Sequence, residues 1–402
     1  MCILERLVFM NPMMRNLICA ARGGLLACLL MAWALLAQAQ VPIPAPPSVN
    51  ATIFILLDFH SDVILAERES DARVEPASIT KLMTSFVAFR EIAAGNLSLQ
   101  DEVLISERAW RTPGSRMFVE VGRRVSVEDL LQGIIIQSGN DASVAIAEHI
   151  AGDESVFASL MNKQAAILGM TGTNYTNATG LPDPDQFTTA RDIAILARAI
   201  ISEFPDFYGW YSQREFTFAD IRQHNRNRLL WRDPSVDGLK TGHTSTAGYC
   251  LVTSASRDGM RLISVVMGSS NEETRATASQ ALMNYGFRFF ETFQLYDGGA
   301  ELGRERVWRG RNAEMPLGLE DDLFVTVQRG RYDALQARME LVDRLVAPIL
   351  AGDHLGQLVI SLDGETVSSR PLIALADVEQ AGFFGRTTDG IRMWLDGLFG
   401  SD

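Results

Sequence analysis

The stretch "GYCLVTSASRDGMRLISVVMGS", Gly248 to Ser269, reads as two apolar strands separated by Arg257-Asp258-Gly259. Asp-Gly accepts the backbone of a tight hairpin turn, so the two runs are expected to pair antiparallel. Just downstream, from about Glu272 to Phe290, the pattern becomes helical. Far upstream, "TIFILLD" and "VILAER" flank a short polar turn at His60 to Asp62, a second strand–turn–strand signal. Between these ends, Pro76 opens a helix whose Ile79, Met83, Phe86 and Val87 share one face. The middle third, from Asp129 to Ile201, is mostly helical outside "TGTNYTNATGLPDPDQ". Strands, then helices, then strands argue for an α+β fold. Its antiparallel sheet carries packed helices and a helical subdomain, and a doubly wound parallel sheet is disfavoured.

The ends of the chain differ in character. Arg6, Arg15 and Arg22 precede "LLACLLMAWALL", and "AQA" at Ala37 to Ala39 is a small-x-small cleavage site. Residues 1–39 therefore read as an export signal, with the mature chain starting at Gln40; a retained membrane anchor is the competing reading, and Met13 or Met14 are alternative starts. The first long region, 40–293, contains all the elements above. After "LYDGGAE" come short alternating runs such as "LFVTVQRG" and "GQLVISLDGETVSSRPLIAL", and 294–383 reads as a small all-β domain. In 384–402, Phe384, Ile391, Leu395 and Leu398 share one helical face, with Trp394 at its edge. Arg386, Asp389, Arg392 and Asp396 lie opposite. This amphipathic segment suits a helix lying on a membrane surface. The competing reading is a helix docked on its own domain, and Gly385, Gly390, Gly397 and Gly400 weaken any helix there.

The 402 residues carry a net charge of −13, which argues against a nucleic-acid partner. Cys2, Cys19 and Cys28 fall in or before the signal, leaving Cys250 in the apolar run "YCLVTSA", where an inert buried thiol is expected. The five histidines, His60, His149, His224, His243 and His354, show no metal-ligand spacing. No metal or other cofactor is expected.

Lysine is written only at 81, 163 and 240, in a chain with 36 basic residues. Ser78 and Lys81, in "VEPASITKLMT", stand three apart on one helical face. A serine hydroxyl must lose a proton to attack a carbonyl. A desolvated lysine can be neutral and take that proton, whereas arginine stays charged in any protein. Lys163 has no motif around it and reads as a surface residue. S-x-x-K is weak alone. Here it is followed by Ser138-Gly139-Asn140 in "QSGNDAS" and by Lys240-Thr241-Gly242 in "LKTGHT". Those three motifs, in that order, are the signature of serine penicillin-recognising enzymes.

With "PASITKLMTS", "QSGNDASVAIAE", "NRNRLLW", "VDGLKTGHTSTAGY" and "GFRFFET", the chain from about Ala51 to Phe399 resembles the low-molecular-mass penicillin-binding proteins, the serine-type D-alanyl-D-alanine carboxypeptidases. The resemblance implies a penicillin-binding/β-lactamase-like catalytic fold. It also implies roles. Ser78 would be the acylated nucleophile and Lys81 its general base. Ser138 would pass the proton to the leaving amine. Asn140 would hold the substrate backbone or orient Lys81. Lys240 and Thr241 would bind the terminal carboxylate, and Gly242 would keep the strand edge bare. His243 and Ser78 would supply backbone N–H groups to an oxyanion hole. Arg275 either reaches the carboxylate or makes a helix-surface ion pair. The implied partners are peptidoglycan stem peptides, β-lactams and, through the C-terminal helix, the membrane surface. The implied location is the periplasm, attached peripherally to the inner membrane. No E-x-x-L-N run lies between Asn140 and Lys240, against a class A β-lactamase. An endopeptidase or transpeptidase of the same superfamily, and a non-catalytic cell-wall scaffold, remain as alternatives.

Overall fold

The computed structural model describes residues 44–383 and 387–392. The expected signal, 1–39, lies outside them, as do Phe384, Arg386, Trp394, Leu395, Asp396 and Leu398 of the terminal segment. Strands β1 (Ile53–Asp58) and β2 (Ile64–Arg68) precede helix α1 (Lys81–Ala93). Helices α2 (Asn140–Ala151), α3 (Glu154–Ile167) and α4 (Ala190–Glu203) fill the middle third. Strands β3 (Val236–Thr244), β4 (Gly248–Arg257) and β5 (Met260–Ser269) then lead into α5 (Glu272–Phe289).

These strands form one sheet in the order β2-β1-β5-β4-β3, antiparallel at every step. Asp258 and Gly259 join β4 to β5, both at positive φ, 50° and 83°, the backbone that the sequence pair favours. All six residues of β1 are buried, because helices cover both faces of the sheet. Ile53, Ile55, Leu57, Ile263 and Val265 share an apolar cluster with Ile193, Leu196 and Ile200 of α4. Leu56 and Leu262 point the other way, where Gly286 of α5 lets the helix come close. Asn271 caps α5 by accepting the Thr274 N–H at 2.8 Å, and Glu272 and Glu273 in its first turn suit the helix dipole.

From Phe290 to Ala374 the regular elements are strands, interrupted by a 3-10 turn at Tyr332–Ala334. Strand β6 (Phe290–Tyr296) is followed by β7 (Gly303–Trp308), β8 (Glu314–Gly318), β9 (Leu323–Gln328), β10 (Leu335–Leu341), β11 (Leu345–Val346), β12 (His354–Leu362) and β13 (Glu365–Ala374). Strands β6 and β9 pair as a ribbon, and the others form a sheet in the order β10-β12-β13-β8-β7-β11. Two apolar clusters, around Met315 and Leu317 and around Val325 and Ile360, give this β lobe a core of its own.

The lobe is fastened to the catalytic sheet by a buried polar network. Asp58, at the end of β1, is fully buried. Its Oδ1 accepts from the His60 and Ser61 N–H groups at 3.0 and 2.8 Å, and its Oδ2 accepts from the Thr292 hydroxyl at 2.7 Å. The Thr326 hydroxyl lies 2.6 Å from that of Ser61 and 2.8 Å from that of Thr292. The His60 ring stacks on Phe324 with centroids 4.5 Å apart. At the far end of the lobe, residues 387–392 are helical. Asp389 accepts the Arg309 N–H at 2.8 Å, so this first turn rests on the β lobe, while Ile391 stays 54% exposed.

Removing Asp58 leaves two N–H groups and the Ser61 and Thr292 hydroxyls without their acceptor. Asp58→Ala is expected to cost about 2–4 kcal/mol, seen as a lower urea midpoint; an unchanged midpoint would show that the network carries no load.

Candidate active site

Ser78 sits in a tight turn, Ala77–Thr80, that runs straight into α1 at Lys81. The nucleophile candidate thus stands one turn before the α-helix rather than inside it. Ala77 is held at φ 46°, a left-handed backbone that an alanine adopts only when its surroundings impose it. Gly180 is one imposing neighbour, since a Cβ there would lie 1.8 Å from the Ala77 carbonyl oxygen. The "GLPDPDQ" segment therefore does reach the site, and glycine is obligatory at its first position. Gly242 packs on the other side of the same turn. A Cβ there would meet Ile79 and Ala77 at 3.1–3.3 Å. The glycine of K-T-G thus makes room for the Ser78 turn, beyond keeping the edge of β3 bare.

Lys81 is 1% exposed. Its Nζ donates to the Ser78 hydroxyl at 3.2 Å, to Asn140 Oδ1 at 2.7 Å and to the Thr179 carbonyl at 2.5 Å. Asn140 in turn donates to the Pro113 carbonyl at 2.6 Å, which fixes its amide with the oxygen facing Lys81. Ser138 follows a widened helical turn, Gly133–Gln137, and takes a left-handed backbone with φ 65°. Its hydroxyl accepts from Lys240 Nζ at 2.9 Å, and Lys240 also donates to the Thr241 carbonyl at 2.9 Å. Ser78, Ser138, Thr241, Gly242 and His243 line one cleft of about 350 Å³. The His243 ring stacks on Tyr249, centroids 3.9 Å apart. Lys163, by contrast, is exposed on α3.

Lys81 is lowered to about 7, chiefly by burial and then by the Arg226 guanidinium, with Asp141 and Glu154 opposing both. Lys240 is held well below the ordinary lysine range by burial and by the positive charges of Lys81, Arg226 and Arg275.

Arg275 is 4% exposed. It donates to the Gly242 carbonyl at 3.2 Å and lies over Tyr249 at 5.5 Å. A helix-surface ion pair is thus ruled out for it; it forms the wall of the cleft. Arg226, Glu272, Gly114 and Ser115 also line the cleft, and sequence reasoning assigned none of them. Arg226 belongs to "NRNRLLW", a run noted as family-like but given no role. Glu272, paired with Arg228 at 2.7 Å, and the Thr179 carbonyl carry no motif. Cys250 is fully buried in β4 and its thiol is pushed up to about 11, chiefly by burial, as an inert thiol should be.

A family model described as D-alanyl-D-alanine carboxypeptidase matches residues 40–271, and one described as penicillin-binding protein 5, C-terminal domain, matches 290–380. The chain is 44% identical to the D-alanyl-D-alanine carboxypeptidase DacC of Escherichia coli, over 88% of this chain and 91% of that protein. It is 43% identical to DacA of Haemophilus influenzae, over 88% and 92%. Among solved structures, penicillin-binding protein 5 of Haemophilus influenzae superposes with a TM-score of 0.82 at 42% identity, covering 84% of this chain and all 100% of that one.

If Lys81 takes the Ser78 proton, acylation by a β-lactam is expected to rise with pH through about 7 and level off above it. Second-order acylation constants measured from pH 5 to 9 test this. Lys81→Arg should be slower by about 10²–10⁴, and a flat wild-type profile would exclude Lys81 as the base.

Proposed function

The chain belongs to the D-alanyl-D-alanine carboxypeptidase family, and from that premise we propose how its own residues perform the reaction. The protein is a serine-type D-alanyl-D-alanine carboxypeptidase, a hydrolase of peptidoglycan that also interacts with β-lactams. It works in the periplasm, at the periphery of the inner membrane.

One observation carries the mechanism: a buried lysine amine, held near neutrality, within 3.2 Å of the Ser78 hydroxyl. Ser78 Oγ attacks the carbonyl carbon between the two D-alanines, and its proton passes to Lys81 Nζ. Asn140 and the Thr179 carbonyl keep the amine aimed at the hydroxyl. The oxyanion is held by the backbone N–H groups of Ser78 and His243. The C–N bond then breaks, the leaving nitrogen takes a proton through the Ser138 hydroxyl, and D-alanine departs. Water attacks the Ser78 ester and releases the peptide shortened by one residue. Lys240, Thr241, Arg275 and Arg226 together supply the positive charge and hydroxyl that bind the terminal carboxylate. Gly242 lets β3 lie close to the Ser78 turn.

Outside the site, the region 294–383 serves as a spacer, and the amphipathic residues of 384–402 rest on the membrane surface. Asp389 joins that segment to the β lobe, which supports the spacer reading, and the exposed Ile391 supports the membrane one.

Mature protein should release D-alanine from a stem pentapeptide, and Ser78→Ala should retain less than about one part in 10⁴ of that rate. Comparable release by both would remove Ser78 from the mechanism. A chain ending at Gly382 should lose sedimentation with membranes and keep its activity on soluble peptide. Continued sedimentation would locate the membrane contact elsewhere.

A further inference from the structure

Asp141 follows Asn140 in the S-x-N run, and the mechanism above gives it no task. It is 1% exposed and is caged by backbone N–H groups. Oδ1 accepts from Met117 and Ala142 at 3.0 and 2.9 Å, and Oδ2 accepts from Phe118 and Val119 at 2.9 and 3.3 Å. Three of those four donors belong to one segment, 113–119. The same segment places Gly114 and Ser115 in the wall of the cleft. It also gives the Pro113 carbonyl to the Asn140 amide and the Ser115 carbonyl to the Asn140 N–H, at 2.6 and 2.7 Å.

The segment does not adopt this shape by its own preference. Phe118 has φ 72° and is 51% exposed, so a bulky residue takes a left-handed backbone without a buried ring to reward it. What holds it there is the carboxylate gathering consecutive N–H groups, with Gln223 donating to the Met117 carbonyl at 3.1 Å from below. Gly139 leaves the carboxylate room, since a Cβ there would lie 2.8 Å from Asp141 Oδ1.

We propose that Asp141 is a positioning residue for the acylation step: by gathering the N–H groups of 117–119 it clamps the 113–119 wall over the catalytic lysine, keeping Asn140 aimed and water out. The clamp needs a group that only accepts. A carboxylate satisfies all four donors, whereas an amide would turn its own NH₂ toward two of them.

The proposal rests on Lys81 acting as the base and separates from that reading by experiment. The charged groups acting on Lys81 are Arg226 and Lys240, which disfavour its proton, and Asp141 and Glu154, which favour it, against burial as the leading influence. A released wall lets water reach Lys81, returning it toward the ordinary lysine range, so the acid limb of acylation moves to higher pH. Loss of the Asp141 charge alone moves the limb to lower pH. The two directions distinguish a clamp from a field.

The experiment compares full mature protein with Asp141→Asn, measuring acylation by labelled penicillin from pH 5 to 10. The clamp predicts a rate at neutral pH about 10-fold or more below wild type, with the limb displaced upward by about 1 unit. A wild-type rate and limb, or a limb displaced downward at full rate, overturns it. If the wild-type limb is itself absent, the fault lies with Lys81 as base and not with the clamp. Should Asp141→Asn fail to fold, Phe118→Gly tests the same idea from the other side. Glycine accepts φ 72°, so that variant should melt about 2–4 °C higher and acylate at the wild-type pH profile. A lower melting temperature would mean the segment was never held against its preference.

Discussion

The structure depends on keeping one amine dry. Lys81 meets three acceptors, a hydroxyl, an amide oxygen and a carbonyl, in a place where water would otherwise compete for each. Enclosure lowers the Lys81 pKa to about 7, with the Ser78 hydroxyl 3.2 Å from its amine. Much of the surrounding architecture can be understood as enclosure. Strand β3 closes one side through Gly242, the loop of Thr179 and Gly180 closes a second, and the Asn140–Asp141 pair closes a third with the 113–119 segment. Each approach is so tight that glycine or a strained backbone marks it.

The same enclosure explains why two lysines share the cleft. Lys240 is buried beside Lys81 under the influence of Arg226 and Arg275, and both amines are held below the ordinary lysine range.

Much of this was legible in the sequence. The Asp258-Gly259 hairpin fixed the antiparallel sheet, and the strand–helix–strand order gave the layers. Lysine at 81 and 240, in a chain that otherwise uses arginine, pointed to positions where a releasable proton or a compact charge matters. What stayed hidden has a common physical origin. The Thr179 carbonyl is backbone and has no residue identity to read. Arg226 and Glu272 are ordinary surface-type residues until the fold brings them to one cleft. Arg275 could not be assigned because helix periodicity does not say which face meets β3. Asp141 carries no motif of its own in the sequence, and only the fold shows that three of its four partners lie more than twenty residues back, at 117–119. The six-stranded order of the β lobe, with its parallel β7–β11 pair, likewise comes from long-range pairing that alternating runs do not encode.

The hydroxyls around Asp58 also bear on how the two lobes behave mechanically. An apolar seam lets surfaces slide, because dispersion has no preferred direction, whereas hydroxyls and a carboxylate within 2.6–3.0 Å tolerate little displacement. The β lobe is therefore held stiffly against the catalytic sheet rather than hung from it by a tether. A flexible tether reaches a distance that grows with the square root of its length, and it samples every height below that. A rigid junction instead holds one separation between the lobe and the catalytic sheet.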